Sequence, residues 1–143
     1  MKFRLQKLLD IAIKEEELRK QELFKVRKEK ENLLNEIEKN RKYLDNLENE
    51  FIGKKIQGNY LHMLLEIKQN GELYLENLYK KLEHVENLEQ KILKEYLEKR
   101  KERMSFEKLK ERAIQKFRIE QQRKENKNMD EIAERKFFFG GER

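Results

Sequence analysis

Apolar residues recur with a period of seven over the first part of the chain. Two such series start at Leu5 and Leu9, and they run through Leu5, Ala12, Arg19, Val26, Leu33, Asn40 and Leu47, and through Leu9, Glu16, Leu23, Lys30, Ile37, Leu44 and Phe51. Ten of these fourteen positions are apolar, as in the seam of a coiled coil. The pattern predicts one helix over about residues 3–52.

The stretch "IGKKIQGNY", residues 52–60, interrupts this pattern and holds two of the five glycines. Gly53 suits the left-handed position just beyond a helix C-terminus. Asn59 is a good N-cap for a following helix. We therefore expect a turn over about residues 53–59.

Apolar residues spaced by three and four then predict a second helix over about residues 60–138. Gly71 lies inside the pattern, where it costs about 1 kcal/mol relative to alanine. We expect a bend or a loose spot there.

The polar interruptions of the two seams predict how the helices pair. With a turn near Gln57, antiparallel partners have numbers that sum to about 115, so acidic Glu15 to Glu17 would face basic Lys99 to Lys101, with Glu16 opposite Lys99. A parallel dimer would stack like charges, which is costly in a seam. The prediction is an all-α, long antiparallel two-helix coiled-coil hairpin that is a monomer on its own. Its second helix is unpaired from about residue 112.

Composition agrees with long helices and adds an uneven charge. Charged residues make up 45% of the chain, against roughly 25% in an average soluble domain. The net charge is +6, and Lys99 to Lys124 holds eleven basic and four acidic residues. A basic stripe suits nucleic acid, an acidic membrane or an acidic protein surface.

Residue types that carry catalysis or bind metals are scarce. Cysteine is absent, His62 and His84 lie far apart, Ser105 is the only serine, and "GKKIQG" lacks the spacing of a phosphate-binding loop. We expect no enzyme, no metal and no cofactor. No stretch reaches the length of a transmembrane helix and the first residues break into charges, so a cytoplasmic protein is expected.

Three motifs carry a family resemblance. They are "FRLQKLLDIA" at residues 3–12, "EKLKER" at 107–112 and "RKENKNMDEIA" at 123–133. The sequence resembles the flagellar FliJ family along almost its whole length, and injectisome stalk proteins are close analogues.

The resemblance implies a fold like the rotor stalk of rotary ATPases and a role in type III protein export and motility. FliJ-like proteins bind the hexameric flagellar export ATPase and stimulate it, contact the transmembrane export gate and escort export chaperones. The implied location is cytoplasmic and peripheral, at the cytoplasmic face of the inner membrane.

The resemblance also implies two contact surfaces. The expected ATPase-ring surface consists of Phe3, Leu5, Leu8, Leu9, Leu109, Arg112, Phe117, Arg118, Arg123, Met129 and Asp130. The expected export-gate surface consists of Ile67, Gly71, Tyr74 and Leu78. Of these, Ile67 and Tyr74 are expected to be exposed, and Leu78 to pack on the first helix.

Two other functions stay open on the residues alone. One is a structural coiled-coil spacer, and the other is a basic coiled coil that binds nucleic acid, although no nucleic-acid-binding module fits. Binding to mixed nucleic acid that weakens steeply with salt would identify the second.

Overall fold

Two helices account for nearly all of the chain. The structure, a computed structural model, describes the backbone of residues 2–140 and the side chains of residues 2–138. Helix α1 spans Gln6–Phe51 and helix α2 spans Gly58–Gly140, and they form the expected all-α helical hairpin. In the described residues, no helix has a stretch long and apolar enough to cross a membrane.

The connection between the helices depends on Gly53. Its φ of 81° is the only positive φ in the described chain, so it takes the left-handed conformation expected from the sequence. The expected N-cap was wrong, because the Leu61 N–H donates to the Gln57 carbonyl at 2.9 Å. That bond makes Gln57 the N-cap and puts Asn59 inside the first turn of α2.

Helix contacts divide the chain into two compact units. One comprises residues 17–98, and the other comprises the residues up to Glu16 together with those from Lys99 onward. In the first of these units, Leu23 and Val26 of α1 form a buried cluster with Val85 and Ile92 of α2. Half-buried Leu33, Leu93 and Tyr96 pack against this cluster. Ile37 and Leu78 are buried as well. Burying side chains of this kind contributes about 1.5–3 kcal/mol each.

The unit that contains the chain ends has a smaller apolar interior. Leu9 and Ala12 of α1 are its buried residues. Phe106, Ala113 and Ile114 of α2 are half-buried in the same unit. With so few buried side chains, this unit depends more on its cross-helix ion pairs.

The two charged residues that interrupt the α1 seam in this unit, Arg19 and Lys30, have partners on α2. Arg19 lies 3.5 Å from the Glu95 carboxylate, and Lys30 Nζ lies 3.2 Å from Glu89 Oε2. The Glu89 side chain is only 13% exposed, so an unpaired charge there would be costly. Antiparallel pairing of α1 and α2 in this unit is what supplies these partners.

In the unit that contains the chain ends, the ion pairs differ from those expected. Lys99 Nζ lies 2.9 Å from Glu15, whereas the Arg103 guanidinium donates to Glu16 from Nε and Nη2 and to Glu107 from Nη1. The predicted pairing of Glu16 with Lys99 was therefore wrong. One helical turn separates Lys99 from Arg103, and the forked guanidinium is the group that can hold the carboxylate at two points.

Alanine at position 53 should destabilise the hairpin by about 1–2 kcal/mol, because a side chain is strained at positive φ. Gly58→Ala is the matched control, since both sites are sterically open but Gly58 has no left-handed φ. Urea unfolding followed by circular dichroism measures both variants. An equal effect of the two substitutions would contradict the role of Gly53.

Breaking the Glu16–Arg103 pair should destabilise the protein by roughly 1–3 kcal/mol. Arg103→Ala leaves the half-buried Glu16 without its partner, whereas Glu16→Ala leaves Arg103 paired with Glu107 alone. A double-mutant cycle with Glu16→Ala and Arg103→Ala should give a coupling energy of about 1 kcal/mol. The exposed Glu38–Lys42 pair is the control, with a coupling below about 0.5 kcal/mol. Equal coupling in the two cycles would contradict a special role of the seam pair.

Candidate functional site

The most unusual surface is the end of α2. Ile114 is its last half-buried residue, and all described side chains from residue 115 to residue 138 are exposed. We call residues 115–138 the overhang. Its apolar side chains Phe117, Ile119, Met129, Ile132, Phe137 and Phe138 are all exposed. Nothing within the described chain buries them, so the overhang presents both apolar and charged groups.

The basic run leads into the overhang with most of its charge unpaired. Of the eleven basic residues from Lys99 to Lys124, only Lys99 and Arg103 form ion pairs in the described residues, which leaves nine without one. A hydrogen bond to the Glu15 carboxylate raises the pKa of Lys99, and a hydrogen bond to the Glu16 carboxylate raises the pKa of Arg103. The unpaired nine give this part of α2 a positive potential available to an acidic partner.

Residues expected at the ATPase ring fall into two groups. Exposed members are Leu8, Leu109, Arg112, Phe117, Arg118, Arg123, Met129 and Asp130. Phe3 and Leu5 are half-buried, and Leu9 is buried. A partner therefore cannot reach Leu9 in this structure.

Residues expected at the export gate also differ in accessibility. Leu78 is 2% exposed and belongs to the interior, whereas Tyr74 is 43% exposed and Ile67 is half-buried. Gly71 lies within an unbroken stretch of α2, and an added Cβ would come 2.6 Å from Leu44 Cδ2. The missing side chain therefore makes room for Leu44 of α1. Tyr74 is therefore the exposed member of this set, and the expected exposure of Ile67 was wrong because its side chain is half-buried.

Tyr74 is held by α1. Its hydroxyl donates to Glu36 Oε1, and this hydrogen bond raises the pKa of Tyr74 above the ordinary 10.0 because it favours the neutral phenol. In the neighbouring pair Lys68–Glu48, the hydrogen bond to the carboxylate raises the pKa of Lys68 because it favours the charged ammonium. These contacts hold the side chains of Tyr74 and Lys68, which lie on the same part of α2 as Ile67.

One exposed apolar surface was not among the expected sites. Ile52, Tyr60, Leu61 and Leu65, at and beside the turn between the helices, are exposed. The available signal was the absence of any acidic residue from position 51 to position 65 in a chain rich in glutamate.

The described residues thus define a helical-hairpin protein whose candidate sites are exposed helix surfaces. A family model described as "Flagellar FliJ protein" matches residues 1–142, so the chain belongs to the FliJ family, as its motifs indicated. It is therefore a component of flagellar protein export. Comparisons with curated proteins and with solved structures gave no match.

Replacing Glu36 by glutamine should lower the pKa of Tyr74, because the charged acceptor that favours the neutral phenol is lost. Since the folded-state pKa is raised, the stabilisation by this pair is fully present below pH 10.0 and disappears as the pH rises through the raised value. Phenolate absorbance during alkaline titration, with Tyr74→Phe to assign the signal, measures the change.

Glu38→Gln, at an exposed carboxylate paired with Lys42, is the control and should leave the titration of Tyr74 unchanged. Circular dichroism in parallel checks that the helices persist at each pH. An unchanged pKa of Tyr74 in Glu36→Gln would contradict the hydrogen bond.

Proposed function

We propose that this protein is a non-enzymatic stalk that binds the hexameric flagellar export ATPase and stimulates ATP hydrolysis. The observation that carries the proposal is the overhang, in which α2 continues beyond Ile114 with every described side chain exposed. At 1.5 Å per residue, its 24 residues extend for about 36 Å. A solitary polar helix draws little stability from packing, and a surrounding ring would supply the missing contacts.

Charge supports the same partner. The unpaired basic residues before and within the overhang suit an acidic ring interior, and charge-based contacts can be exchanged among several similar subunits. Arg112, Arg118 and Arg123 are exposed and form no ion pair in the described residues. We assign them the electrostatic part of the contact, and Phe117 and Met129 the apolar part.

Membership of the family supports the remaining partners of the proposal. In the proposal, the surface around Ile67 and Tyr74 contacts the transmembrane export gate, and the protein also escorts export chaperones. It would then work in the cytoplasm, peripherally at the inner membrane near the flagellar base. A surface held by cross-helix contacts such as Tyr74–Glu36 is suited to binding a partner without rearrangement.

A chain that ends at Ile114 should lose most of the stimulation of the flagellar export ATPase, because the overhang is missing. It keeps every described side chain of α2 that is buried or half-buried, so its thermal unfolding midpoint should stay close to that of the full chain. Steady-state ATP hydrolysis with each version measures the effect. Equal stimulation by both versions would contradict a stalk role for the overhang.

Charge reversal separates electrostatics from length. Arg112→Glu, Arg118→Glu and Arg123→Glu together should abolish most of the stimulation, since each reversal at a complementary surface costs on the order of 1 kcal/mol or more. Lys20→Glu, Lys25→Glu and Lys28→Glu change the net charge equally at exposed positions of α1. Unchanged stimulation by the arginine variant, or equal loss in the lysine variant, would contradict the assignment.

A further inference from the structure

The turn between α1 and α2 differs in composition from the rest of the chain. Residues 51–65 contain no aspartate or glutamate, and the next longest acid-free segment, residues 1–9, has nine residues. Eight of the fifteen residues are apolar, and Lys54 and Lys55 carry the charge. In a chain that is 45% charged, such a segment marks a surface suited to a particular kind of partner.

The apolar groups of this segment are mostly on the outside. Ile52 is 71% exposed, and Tyr60, Leu61 and Leu65 are exposed as well. Ile52, Leu61 and Leu65 border an open groove of about 320 Å³ whose floor includes Phe51 and Leu64. We call the exposed group Ile52, Lys54, Lys55, Tyr60, Leu61 and Leu65 the turn surface.

Its lysines have no internal partner. Lys54 and Lys55 are exposed and form no ion pair in the described residues, in contrast to nearby Lys68, which is paired with Glu48. No carboxylate occurs in the segment to repel negative charge. The turn surface therefore joins exposed apolar groups, an aromatic ring and free positive charge.

We propose that the turn surface docks on an anionic lipid bilayer. Aliphatic side chains enter the boundary between headgroups and acyl chains, tyrosine is favoured at that level, and lysines attract anionic headgroups. A bilayer is preferred to a protein helix as the partner because Ile52 and the two lysines belong to the turn itself. A flat surface such as a bilayer can contact all three side chains at once. A helix bound in the groove alone would leave Lys54 and Lys55 without a role.

Docking of this kind is weak and reversible. Each lysine near an anionic surface contributes about fivefold in affinity, and burial of one aliphatic side chain contributes about tenfold. Contact with the bilayer would assist the proposed export-gate contact by holding the neighbouring part of α2 at the membrane. The inference does not depend on the ATPase partnership.

Vesicle cosedimentation of the full chain tests the proposal. The probes are vesicles of phosphatidylcholine alone and of phosphatidylcholine mixed with phosphatidylglycerol, at low and moderate salt. The chain should bind the anionic vesicles, and Lys54→Gln with Lys55→Gln should weaken binding about 25-fold. Lys20→Gln with Lys25→Gln, an exposed pair on α1, is matched in charge and should have a much smaller effect.

The apolar contribution has its own control. Ile52→Ser should weaken binding about tenfold, whereas Phe24→Ser, at a side chain of similar exposure on α1, should not. The proposal would be overturned by equal losses in the turn and α1 variants, by intact vesicle binding in the turn variants, or by binding that disappears only when Arg118 and Arg123 are neutralised. If the turn variants still bound vesicles but no longer bound a purified export protein, the turn surface would instead be a protein-docking site. The ATPase is absent from these mixtures, so the result is independent of the proposed stalk function.

Discussion

Charge pairing across the seam is the constraint on which the hairpin depends. Both helices are interrupted by charged residues at positions that face the other helix, and burying a charge is costly when it has no partner. Glu16 is held by Arg103, and Glu89 by Lys30. These pairs add modest stability, but they penalise a shifted register or a parallel dimer, in which like charges would meet. Apolar residues supply the driving force, and the ion pairs select one alignment.

Unequal helix lengths leave part of α2 exposed. Helix α1 has 46 residues and α2 has 83, so a fixed antiparallel register leaves part of α2 without a counterpart. Beyond Ile114 no described side chain is even half-buried. Packing against α1 therefore does not constrain the described side chains there, and both charged and apolar groups lie exposed. The same reasoning applies at the turn, where the connection exposes Ile52 and Tyr60.

Much of the fold could be predicted because it depends on local pattern. The seven-residue repeat identified Leu9, Leu23 and Ile37 as interior residues, and all three are buried. Gly53 was predicted to take the left-handed conformation, and its φ is positive. The N-cap at Asn59 was wrong because helix entry depends on which carbonyl first accepts a bond, and several polar residues in the turn could serve.

The sequence by itself determined the two helices, the turn, the family and the opposition of acidic and basic seam residues, since these follow from periodicity and residue type. Only the tertiary structure decided individual partners, such as Arg103 rather than Lys99 for Glu16. It also explained Gly71, whose missing side chain accommodates Leu44. Such choices depend on side-chain reach and on the rotation of one helix about its axis. A displacement of one helical turn changes the partner while leaving the apolar pattern intact.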